Sequence, residues 1–562
     1  MVTKHHTKLK MQKIRIAGPP GTGKTTYLVK KYYEALSTYQ PADIIVISHT
    51  NTAADHIRGK ILEIKSMNNY LQETGINVLD IVQANKKTLE RNVSTIHKYC
   101  KDQLLGATVF EINDYDVLKQ KYPIFNDWTK NIKFNYTTRL FKSHPFFKFV
   151  SFARDNGKEL TKYYRELSYE DRELYKYSIT ELNEMNNLYT EYKTNSLING
   201  GRSSILDFQD MVEKFCELRK DPIIKVLIID EAQDSSCIQR RAEEKMSRNS
   251  ELFYKAGDPD QTIFEFAGAD PHAFHLEFAH PEVELKIGYR CPRLINEWCR
   301  EIIKPIWLKY EYTRTWSPVR ELDKDGKPTG PIVEGEIFNL MSLTQDPNLH
   351  ELSNRLLNTK ETFIFTYRGG EPENLIDFLI KNNMPMGFLS DKIKCFSYPK
   401  KEIEVQRMYL NFCFGKEELP LSKIKKIIKS MDPGYYQPGF KIEHLEELEK
   451  KKYTLDYCID SGFLSPVIKK TSDFQNITAQ SDLKIKNYVR NIVNNNRDLQ
   501  DIRVFVANIH TIKGMEFDNV VLDLKINREE RTMDDKRRIK FVAGSRAKKT
   551  LWTIKSKGQL SL

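Results

Sequence analysis

Paired cysteines and long apolar runs are both missing from this 562-residue sequence. The 8 cysteines lie far apart with no C-x-x-C pair, which argues against a zinc ribbon, an iron–sulfur cluster and a dense disulfide framework. No apolar run approaches the roughly 18 residues that a membrane span needs, and the basic start leads into no signal peptide. We therefore expect a cytoplasmic protein, or one of the host cytoplasm if it is viral, with no membrane partner.

Acidic residues are fewer than basic ones. Lys and Arg total 88 against 76 for Asp and Glu, a formal net charge of +12. This excess favours a polyanionic partner, with nucleic acid as the first candidate and simple solubility as the alternative. The length exceeds the roughly 100 to 200 residues of one domain, so we expect more than one hydrophobic core.

Five apolar segments predict buried strands of parallel sheets. Three of them, residues 13–18, 42–50 and 226–229, are separated by helix-like text and predict one sheet with ligands at the carboxyl ends of its strands. Residues 361–367 and 519–526 predict a second α/β core in the C-terminal half.

The stretch GPPGTGKT follows the first strand and opens a helix, matching the pattern G-x-x-x-x-G-K-[ST]. In this pattern backbone N–H groups surround phosphate oxygens, Lys24 reaches the β and γ phosphates, and Thr25 ligates Mg²⁺. The alternative, a glycine-rich turn with a chance lysine, does not explain both flanks. The predicted nucleotide-binding residues here are Gly18, Pro19, Pro20, Gly21, Thr22, Gly23, Lys24, Thr25 and Thr26.

Two acids end the strand at residues 226–229. Asp230 is the expected partner of Thr25 in holding the metal, and Glu231 is placed to orient or deprotonate an attacking water. By itself such a pair could also cap a helix. With the phosphate loop, it predicts hydrolysis of a nucleoside triphosphate.

The segment DEAQD at residues 230–234, followed by GDPDQTIFEFAGA at 257–269, resembles the UvrD/Rep/PcrA family of superfamily 1 DNA helicases. Further segments resemble that family's motifs in the family's order: residues 48–58, 94–100, 206–212, 285–292, 509–522 and 536–552. The resemblance implies an α/β fold with two RecA-like P-loop motor domains, parallel sheets flanked by helices, each with a mainly helical insertion.

Domain boundaries follow from the motif positions. The expected domains are a first RecA-like motor domain at 1–100 and 201–284, its helical insertion at 101–200, a second motor domain at 285–390 and 501–562, and its insertion at 391–500.

In that family two RecA-like cores clamp the nucleotide between them while single-stranded DNA lies across their tops. By resemblance, Gln261 senses the γ-phosphate, Tyr289 stacks on adenine, and Arg290 and Arg546 act on the developing charge. The implied catalytic residues are Lys24, Asp230, Glu231, Gln261, Arg290 and Arg546. The implied ATP-binding residues outside the phosphate loop are Tyr289, Arg290, Gly514, Glu516 and Arg546.

Bases are expected to stack on aromatic rings. By resemblance, Phe264 and Phe266 form part of these pockets, and a stack on an aromatic ring tolerates any base. The stretch from Gly257 to Asp270 thus reads as a coupling element, with its amide facing ATP and its rings facing DNA. The alternative is that both rings belong to the core. The implied DNA-binding residues are His49, Thr50, Asn51, Arg58, Thr95, His97, Phe264, Phe266, His510 and Thr511.

The sequence departs from the family pattern at three places. His49 stands where the family usually has an aromatic ring, and residues 266–269 replace the family's W-R-G-A. No glutamine motif precedes Gly18, so the preference for ATP over other triphosphates stays open.

Other segments have two interpretations. The rings and basic residues of 101–200 either contact duplex DNA or form the core of a small helical domain, which we favour. The lysine-rich helices of 390–500 pose the same choice, and residues 421–430 place Ile424, Ile427 and Ile428 on one face. Residues 314–331 predict a surface loop.

The predicted function is that of an ATP-dependent DNA helicase or translocase moving 3′ to 5′ on single-stranded DNA, in replication, repair or recombination. The alternative is a DNA-stimulated ATPase motor subunit of a nuclease, defence or protein-displacement complex that does not unwind by itself. The cofactors expected are ATP and Mg²⁺, and the partners are single-stranded DNA and single-strand/duplex junctions. Only 16 residues follow Arg546, so we expect no nuclease domain in this sequence.

Overall fold

The computed structural model describes most of residues 11–389, residues 503–526 and 532–555, and short pieces in between. Within the first range, residues 127–139, 142–143, 203, 266–267, 324–327, 345, 369–371 and 385 lie outside the description. Contacts divide the chain into two compact units, the first comprising residues 1–333 and 530–545 and the second 334–529 and 546–562. The start of the second motor domain at 285 stays a prediction, and the Tyr289 N–H bonds to the Gly21 carbonyl of the phosphate loop.

The first unit contains a six-stranded parallel sheet in the order β3-β2-β6-β7-β1-β8, and β4 pairs with β5. Its strands are β1 Gln12–Ala17, β2 Ile44–Ser48, β3 Val93–Thr95, β4 Thr108–Val109, β5 Ile205–Leu206, β6 Val226–Ile229, β7 Leu252–Gly257 and β8 Val283–Glu284. Every residue of β2 and of β6 is buried, as expected for strands covered on both faces. Because the strands are parallel, the loops after β1, β2, β3, β6 and β7 lie at one edge of the sheet.

Helices cover both faces of this sheet. Alternate strand residues contribute to two separate cores, so that Ile228 packs with Tyr32 on one face and Ile229 with Phe215 on the other. The helices of the first unit outside the insertion are Lys24–Leu36, Asn51–Ile61, Ile64–Thr74, Leu79–Ala84, Lys86–Asn92, Ile96–Asp102, Phe208–Glu217, Cys237–Ser247, Pro271–Glu277, Arg293–Lys309 and Met533–Gly544. Short 3-10 turns occupy Pro41–Asp43, Ala232–Asp234 and Pro259–Gln261.

The insertion between β4 and β5 is helical and has its own aromatic core. Its helices are Ile112–Lys121, Pro145–Asp155, Leu160–Glu166, Tyr169–Tyr175 and Ile179–Thr194, with a 3-10 turn at Pro123–Phe125. Phe110, Phe146, Phe147 and Tyr189 are each at most 1% exposed and meet at ring-centroid distances between 5.0 and 5.9 Å. The interpretation of these rings as the core of a small domain is therefore confirmed for the described part of the insertion.

Buried ion pairs fasten the insertion to the motor core. Arg154 and Lys193 come from insertion helices, and both pair with Asp207 and Asp210 at the start of helix Phe208–Glu217. Burial alone would raise the pKa of Asp207, but Arg154 and Lys193 hold it below its usual range. Removing either cation would leave a buried carboxylate undercompensated, so the pairs hold the insertion helices in position.

Asp155, next to this cluster, should make stability depend on pH. Burial raises the pKa of Asp155 to about 7, and Gln209 donates to its carboxylate at 3.2 Å. Because the folded-state pKa exceeds the unfolded value of about 3.9, the free energy of unfolding falls as pH rises from about 4 to about 7. Asp155→Asn keeps an acceptor for Gln209 without the charge. It should therefore raise the free energy of unfolding by more at pH 8 than at pH 5, as measured by urea denaturation.

The exposed Asp116 on helix Ile112–Lys121 offers the control for this experiment. Asp116→Asn should change stability little at either pH, since its carboxylate stays hydrated in the folded protein. Equal gains for Asp155→Asn at pH 5 and pH 8 would contradict the prediction.

The second unit contains another six-stranded parallel sheet, in the order β11-β12-β10-β13-β14-β9. Its strands are β9 Glu336–Leu340, β10 Phe363–Arg368, β11 Met386–Phe388, β12 Val504–Asn508, β13 Phe517–Ile526 and β14 Ala547–Ile554. Its described helices are Leu349–Asn358, Glu373–Lys381, Leu421–Ile428 and Leu455–Asp460. Ile424, Ile427 and Ile428 are buried in one core with strand residues such as Phe365, which confirms the predicted apolar face.

Two further predictions concern the segment 314–331 and membrane-spanning helices. The segment 314–331 lacks helix in its described part, but Arg314 and Trp316 are largely buried, so the prediction of a surface loop is wrong at its start. Within the described residues, no helix combines the length and apolarity needed to cross a membrane.

Candidate functional site

The phosphate loop joins β1 to the helix Lys24–Leu36 in a tight backbone path. Gly21 and Gly23 have φ values of +73° and +82°, which residues with a side chain rarely adopt. At Gly18 an added Cβ would lie 2.6 Å from the Thr22 hydroxyl and 2.8 Å from Cγ of Lys24. The Lys24 ammonium, only 7% exposed as a residue, donates to the Gly18 carbonyl at 2.7 Å. A larger residue would therefore clash at Gly18 and be strained at Gly21 and Gly23.

The predicted metal ligands meet across the sheet edge. The Thr25 hydroxyl donates to Oδ2 of Asp230 at 2.8 Å, although the two residues are 205 positions apart. Burial, and then the charge of Glu231, raise the pKa of Asp230 to about 6. A hydroxyl and a carboxylate beside a phosphate loop match the oxygen ligands that Mg²⁺ prefers, and a bound cation would favour the ionised carboxylate. The residues present thus fit a nucleotide with Mg²⁺.

Glu231 has an unusual backbone conformation. Its φ of +53° and ψ of +37° lie in the left-handed region, which costs a non-glycine residue about 1 kcal/mol or more. Its carboxylate accepts a hydrogen bond from Nε2 of Gln233. A strained residue next to Asp230, the predicted metal ligand, is typical of a functional site.

Tyr289 and Arg290 contact the phosphate loop directly. The Tyr289 N–H donates to the Gly21 carbonyl at 2.9 Å, and a Cβ added to Gly21 would lie 2.5 Å from Cβ of Arg290. The Tyr289 ring lies beside Gly23 and is 52% exposed as a residue. An exposed ring beside the loop is suited to stacking on a nucleotide base.

The turn after β7 begins beside the phosphate loop, since the Gly18 N–H donates to the Gly257 carbonyl at 3.3 Å. Gln261 is 2% exposed, and its Nε2 donates to Oδ2 of Asp258 at 2.7 Å. This bond turns the amide oxygen of Gln261 away from the Asp258 carboxylate.

The residues predicted to bind DNA directly after β2 lie beside those predicted at the end of β3. Ser48, the last residue of β2, pairs with Thr95 in the parallel register. Both neighbouring threonines cap helices. Thr50 accepts from the Ala53 N–H at 3.1 Å, and Thr95 accepts from the Lys98 N–H at 3.3 Å. Asn51 begins the helix Asn51–Ile61. Thr50 and Asn51 are exposed, whereas Ile96 at the start of the second helix is buried.

Arg58 and the two histidines border the same loops. Arg58 donates to the Val93 carbonyl at 2.8 Å, which ties the helix Asn51–Ile61 to β3. Burial, and then the charge of His49, lower the pKa of His97 to about 4, so His97 is neutral at pH 7. His49 Nε2 lies 3.1 Å from the Ser235 hydroxyl, which follows the acidic strand end. A residue predicted for DNA thereby contacts the segment that follows the predicted catalytic acids Asp230 and Glu231.

One of the two aromatic residues predicted to stack on bases lies within the described part of the chain. Phe264 is partly buried, whereas Phe266 lies outside the described residues. Gly268 has a φ of +84°, and a Cβ there would lie 2.7 Å from Cβ of Asp155. The end of the stretch therefore packs against the helical insertion.

The remaining predicted residues belong to the second unit. His510 Nδ1 lies 2.8 Å from the Arg368 guanidinium, and the Thr511 N–H donates to the Asn508 carbonyl at 2.9 Å, both at the carboxyl end of β12. Gly514 has a φ of +87°. The Glu516 carboxylate lies 3.9 Å from the Lys548 ammonium. Arg546 is 2% exposed, and its backbone carbonyl accepts a hydrogen bond from the Phe517 N–H.

Comparisons with known proteins bear on the origin of this arrangement. Residues 3–280 match the family model of the UvrD/REP helicase N-terminal domain, and residues 503–554 match that of the UvrD-like helicase C-terminal domain. The sequence is 23% identical to the ATP-dependent DNA helicase Rep of Buchnera aphidicola subsp. Acyrthosiphon pisum, over 89% of this chain and 77% of that protein. It is also 23% identical to Rep of Buchnera aphidicola subsp. Schizaphis graminum, over 81% of this chain and 66% of that protein.

The chain belongs to the UvrD/Rep helicase family. The two family matches confirm the resemblance, and the two parallel sheets flanked by helices confirm the α/β fold class. Tyr289 and Arg290 lie between the two matched ranges of the UvrD/Rep models, and both lie beside Gly21 of the phosphate loop. The individual site residues stay predictions.

The sequence reasoning missed a group of side chains around the acids of this UvrD/Rep coupling stretch. Asp258 and Asp260 are 0% and 1% exposed, and they bind Trp307, Tyr312 and Arg314. The only signal in the sequence was the density of acids between Gly257 and Asp270, which requires compensation if the segment is buried. The partners lie about fifty positions away and could not be identified from the sequence.

Proposed function

We propose that this protein is an ATP-dependent DNA helicase that moves 3′ to 5′ along single-stranded DNA and unwinds duplexes. We expect it to act in the cytoplasm on single-strand/duplex junctions, in replication, repair or recombination. The observation that carries the proposal is the Thr25–Asp230 contact beside the phosphate loop, in a chain of the UvrD/Rep family whose compared relatives are named ATP-dependent DNA helicases.

The chain's own residues divide the work of hydrolysis. Lys24 and the N–H groups of the phosphate loop neutralise the β and γ phosphates, while Thr25 and Asp230 hold Mg²⁺, which polarises the phosphate oxygens when bound. Glu231 orients the attacking water and accepts a proton from it, and Gln261 senses the γ-phosphate. Arg290 and Arg546 stabilise the charge that develops on the transferred phosphoryl group.

Coupling to DNA follows from neighbouring loops. Ser235 continues the segment of Asp230 and Glu231, and its hydroxyl contacts His49 among the predicted DNA residues. Phe264 follows Gln261 by three positions. A change of backbone position around Gln261 or Asp230 during hydrolysis therefore shifts groups that contact bases and phosphates.

The first test is the rate of ATP hydrolysis with and without oligo-dT. We expect strong stimulation of the native protein and loss of that stimulation in the Phe264→Ala, Phe266→Ala double variant, because each stacked base contributes about 1 to 3 kcal/mol. Tyr169→Ala is the matched control. It also removes an aromatic ring, but Tyr169 lies on an insertion helix, where it is 73% exposed, and has no proposed role in stacking. A native rate indifferent to DNA would mean an ATPase serving another partner, and the helicase proposal would be withdrawn.

Direction and unwinding need a second measurement. Duplexes with a 3′ tail should be separated and those with a 5′ tail should stay paired, as followed by release of a labelled strand. ATP consumption without strand separation on either substrate would favour a motor subunit that translocates or displaces proteins without unwinding.

A further inference from the structure

A buried hydrogen-bond network surrounds Asp258. Of the groups bonded directly to Asp258, the proposed mechanism uses Gln261. The Asp258 carboxylate accepts from the Gln261 amide at 2.7 Å, from the Arg314 guanidinium at 3.1 Å and from the Asp260 N–H at 3.1 Å. The Asp258 N–H donates to Oε1 of Gln233 at 3.1 Å. Asp258 is 0% exposed, so these protein groups take the place of water around its charge.

The network also reaches the proposed general base. Gln233 is 1% exposed and donates through Nε2 to the Glu231 carboxylate, while its Oε1 accepts from Asp258. Both ends of the Gln233 amide are thus engaged, which determines its orientation. Glu231, proposed to act on the attacking water, and Gln261, proposed to sense the γ-phosphate, are therefore both connected to Asp258.

Arg314 is the cation of this network. It is paired with Asp258, its side chain is 13% exposed, and its guanidinium lies 5.5 Å from the centre of the Tyr312 ring. Tyr312 in turn donates to Asp260 at 2.5 Å, and Trp307 donates to the other oxygen of Asp260 at 2.9 Å. Two neighbouring buried carboxylates repel each other, and Arg314 offsets that repulsion at Asp258.

We propose that Arg314 is a positioning residue for ATP hydrolysis, acting through Asp258 on Gln261 and, through Asp258 and Gln233, on Glu231. The proposal rests on the proposed function, because it assigns Gln261 and Glu231 their roles in phosphoryl transfer. Without the guanidinium, the Asp258 carboxylate turns toward other donors, and the amide bonded to it moves with it. Displacements of this size near reacting atoms lower the rate of the chemical step.

The test is a double-mutant cycle on DNA-stimulated ATP hydrolysis with saturating oligo-dT. Arg314→Met should lower kcat about 10-fold or more while the KM for ATP and the Kd for oligo-dT change little. In a Gln261→Ala background the same substitution should lower kcat by less than about 3-fold, because Gln261 is already gone and only the longer path through Gln233 to Glu231 remains. Arg314→Lys, which keeps the charge, should recover part of the rate.

The control is Lys309→Ala, since Lys309 lies on the same chain segment but makes an exposed ion pair with Asp534 at 2.7 Å. It should keep the native kcat. If Arg314→Met does not fold, Arg314→Lys takes its place in the cycle, with a smaller expected loss.

Equal fold-losses from the Arg314 substitution in both backgrounds would overturn the positioning role, as would a loss confined to KM. These outcomes are separate from failure of the proposed function. A native protein without DNA-stimulated hydrolysis would remove the helicase proposal itself, whereas a stimulated native protein with an additive cycle would remove only the role of Arg314.

Discussion

Lys24→Ala is expected to abolish ATP hydrolysis and DNA unwinding while single-strand binding stays largely intact. The Lys24 ammonium lies inside the phosphate loop, 2.7 Å from the Gly18 carbonyl, and alanine removes the cation that neutralises the transferred phosphates. We expect kcat to fall at least about 100-fold, the size of effect seen when a charge-stabilising group is removed. The residues proposed to bind DNA lie on other loops, so the Kd for a fluorescent oligo-dT, measured by anisotropy, should change little.

A lysine of the same helix provides the control. Lys30 forms a surface ion pair with Glu73, and such exposed pairs contribute little to stability. Lys30→Ala should therefore hydrolyse ATP and unwind a tailed duplex as the native protein does. Full unwinding by Lys24→Ala would contradict the mechanism, because Lys24 is the one positively charged residue of the phosphate loop.

Glu231→Gln should separate ATP binding from hydrolysis. The substitution keeps the shape of the side chain and the strained backbone, but a neutral amide cannot accept the proton of the attacking water. We expect single-turnover hydrolysis to slow by about 100-fold or more, since general-base catalysis contributes about 10² to 10⁴. Equilibrium ATP binding should persist because Lys24, Thr25 and Asp230 are unchanged.

Glu244→Gln is the matched control, because Glu244 is exposed on the helix Cys237–Ser247 that follows the acidic segment. It should leave the hydrolysis rate unchanged. A Glu231→Gln protein that hydrolyses ATP at the native rate would show that another group deprotonates the water, and the role assigned to Glu231 would be wrong. A protein that loses ATP binding as well would assign Glu231 to the nucleotide or the metal.

Local patterns were enough to predict the sheet and one edge of the site. The apolar segment at 226–229 is the strand β6 and that at 42–50 contains β2, because a run of buried branched residues between helices has few other solutions. The contact of Thr25 with Asp230 was predictable as well, since parallel strands bring their carboxyl ends to one edge. The aromatic core of the insertion followed from its composition.

Pairings between distant segments were not predictable in the same way. The sequence predicts a surface loop at the start of the segment 314–331, yet the Arg314 side chain is largely buried against Asp258. Turn residues and charges indicate exposure on average, but burial of one arginine depends on which acid faces it in three dimensions. The same holds for the contact between His49 and Ser235.

By itself the sequence determined the phosphate loop, the acids at the end of β6, the two parallel sheets and the membership of the UvrD/Rep family. These features depend on residues adjacent in the chain or on patterns repeated along it, and both can be read in one dimension. Only the tertiary structure decided that Tyr289 lies on the phosphate loop and that Arg314, Asp258 and Gln233 connect Gln261 to Glu231. Hydrogen bonds between segments far apart in the chain arise from packing, which places partners together without any local signal in either segment.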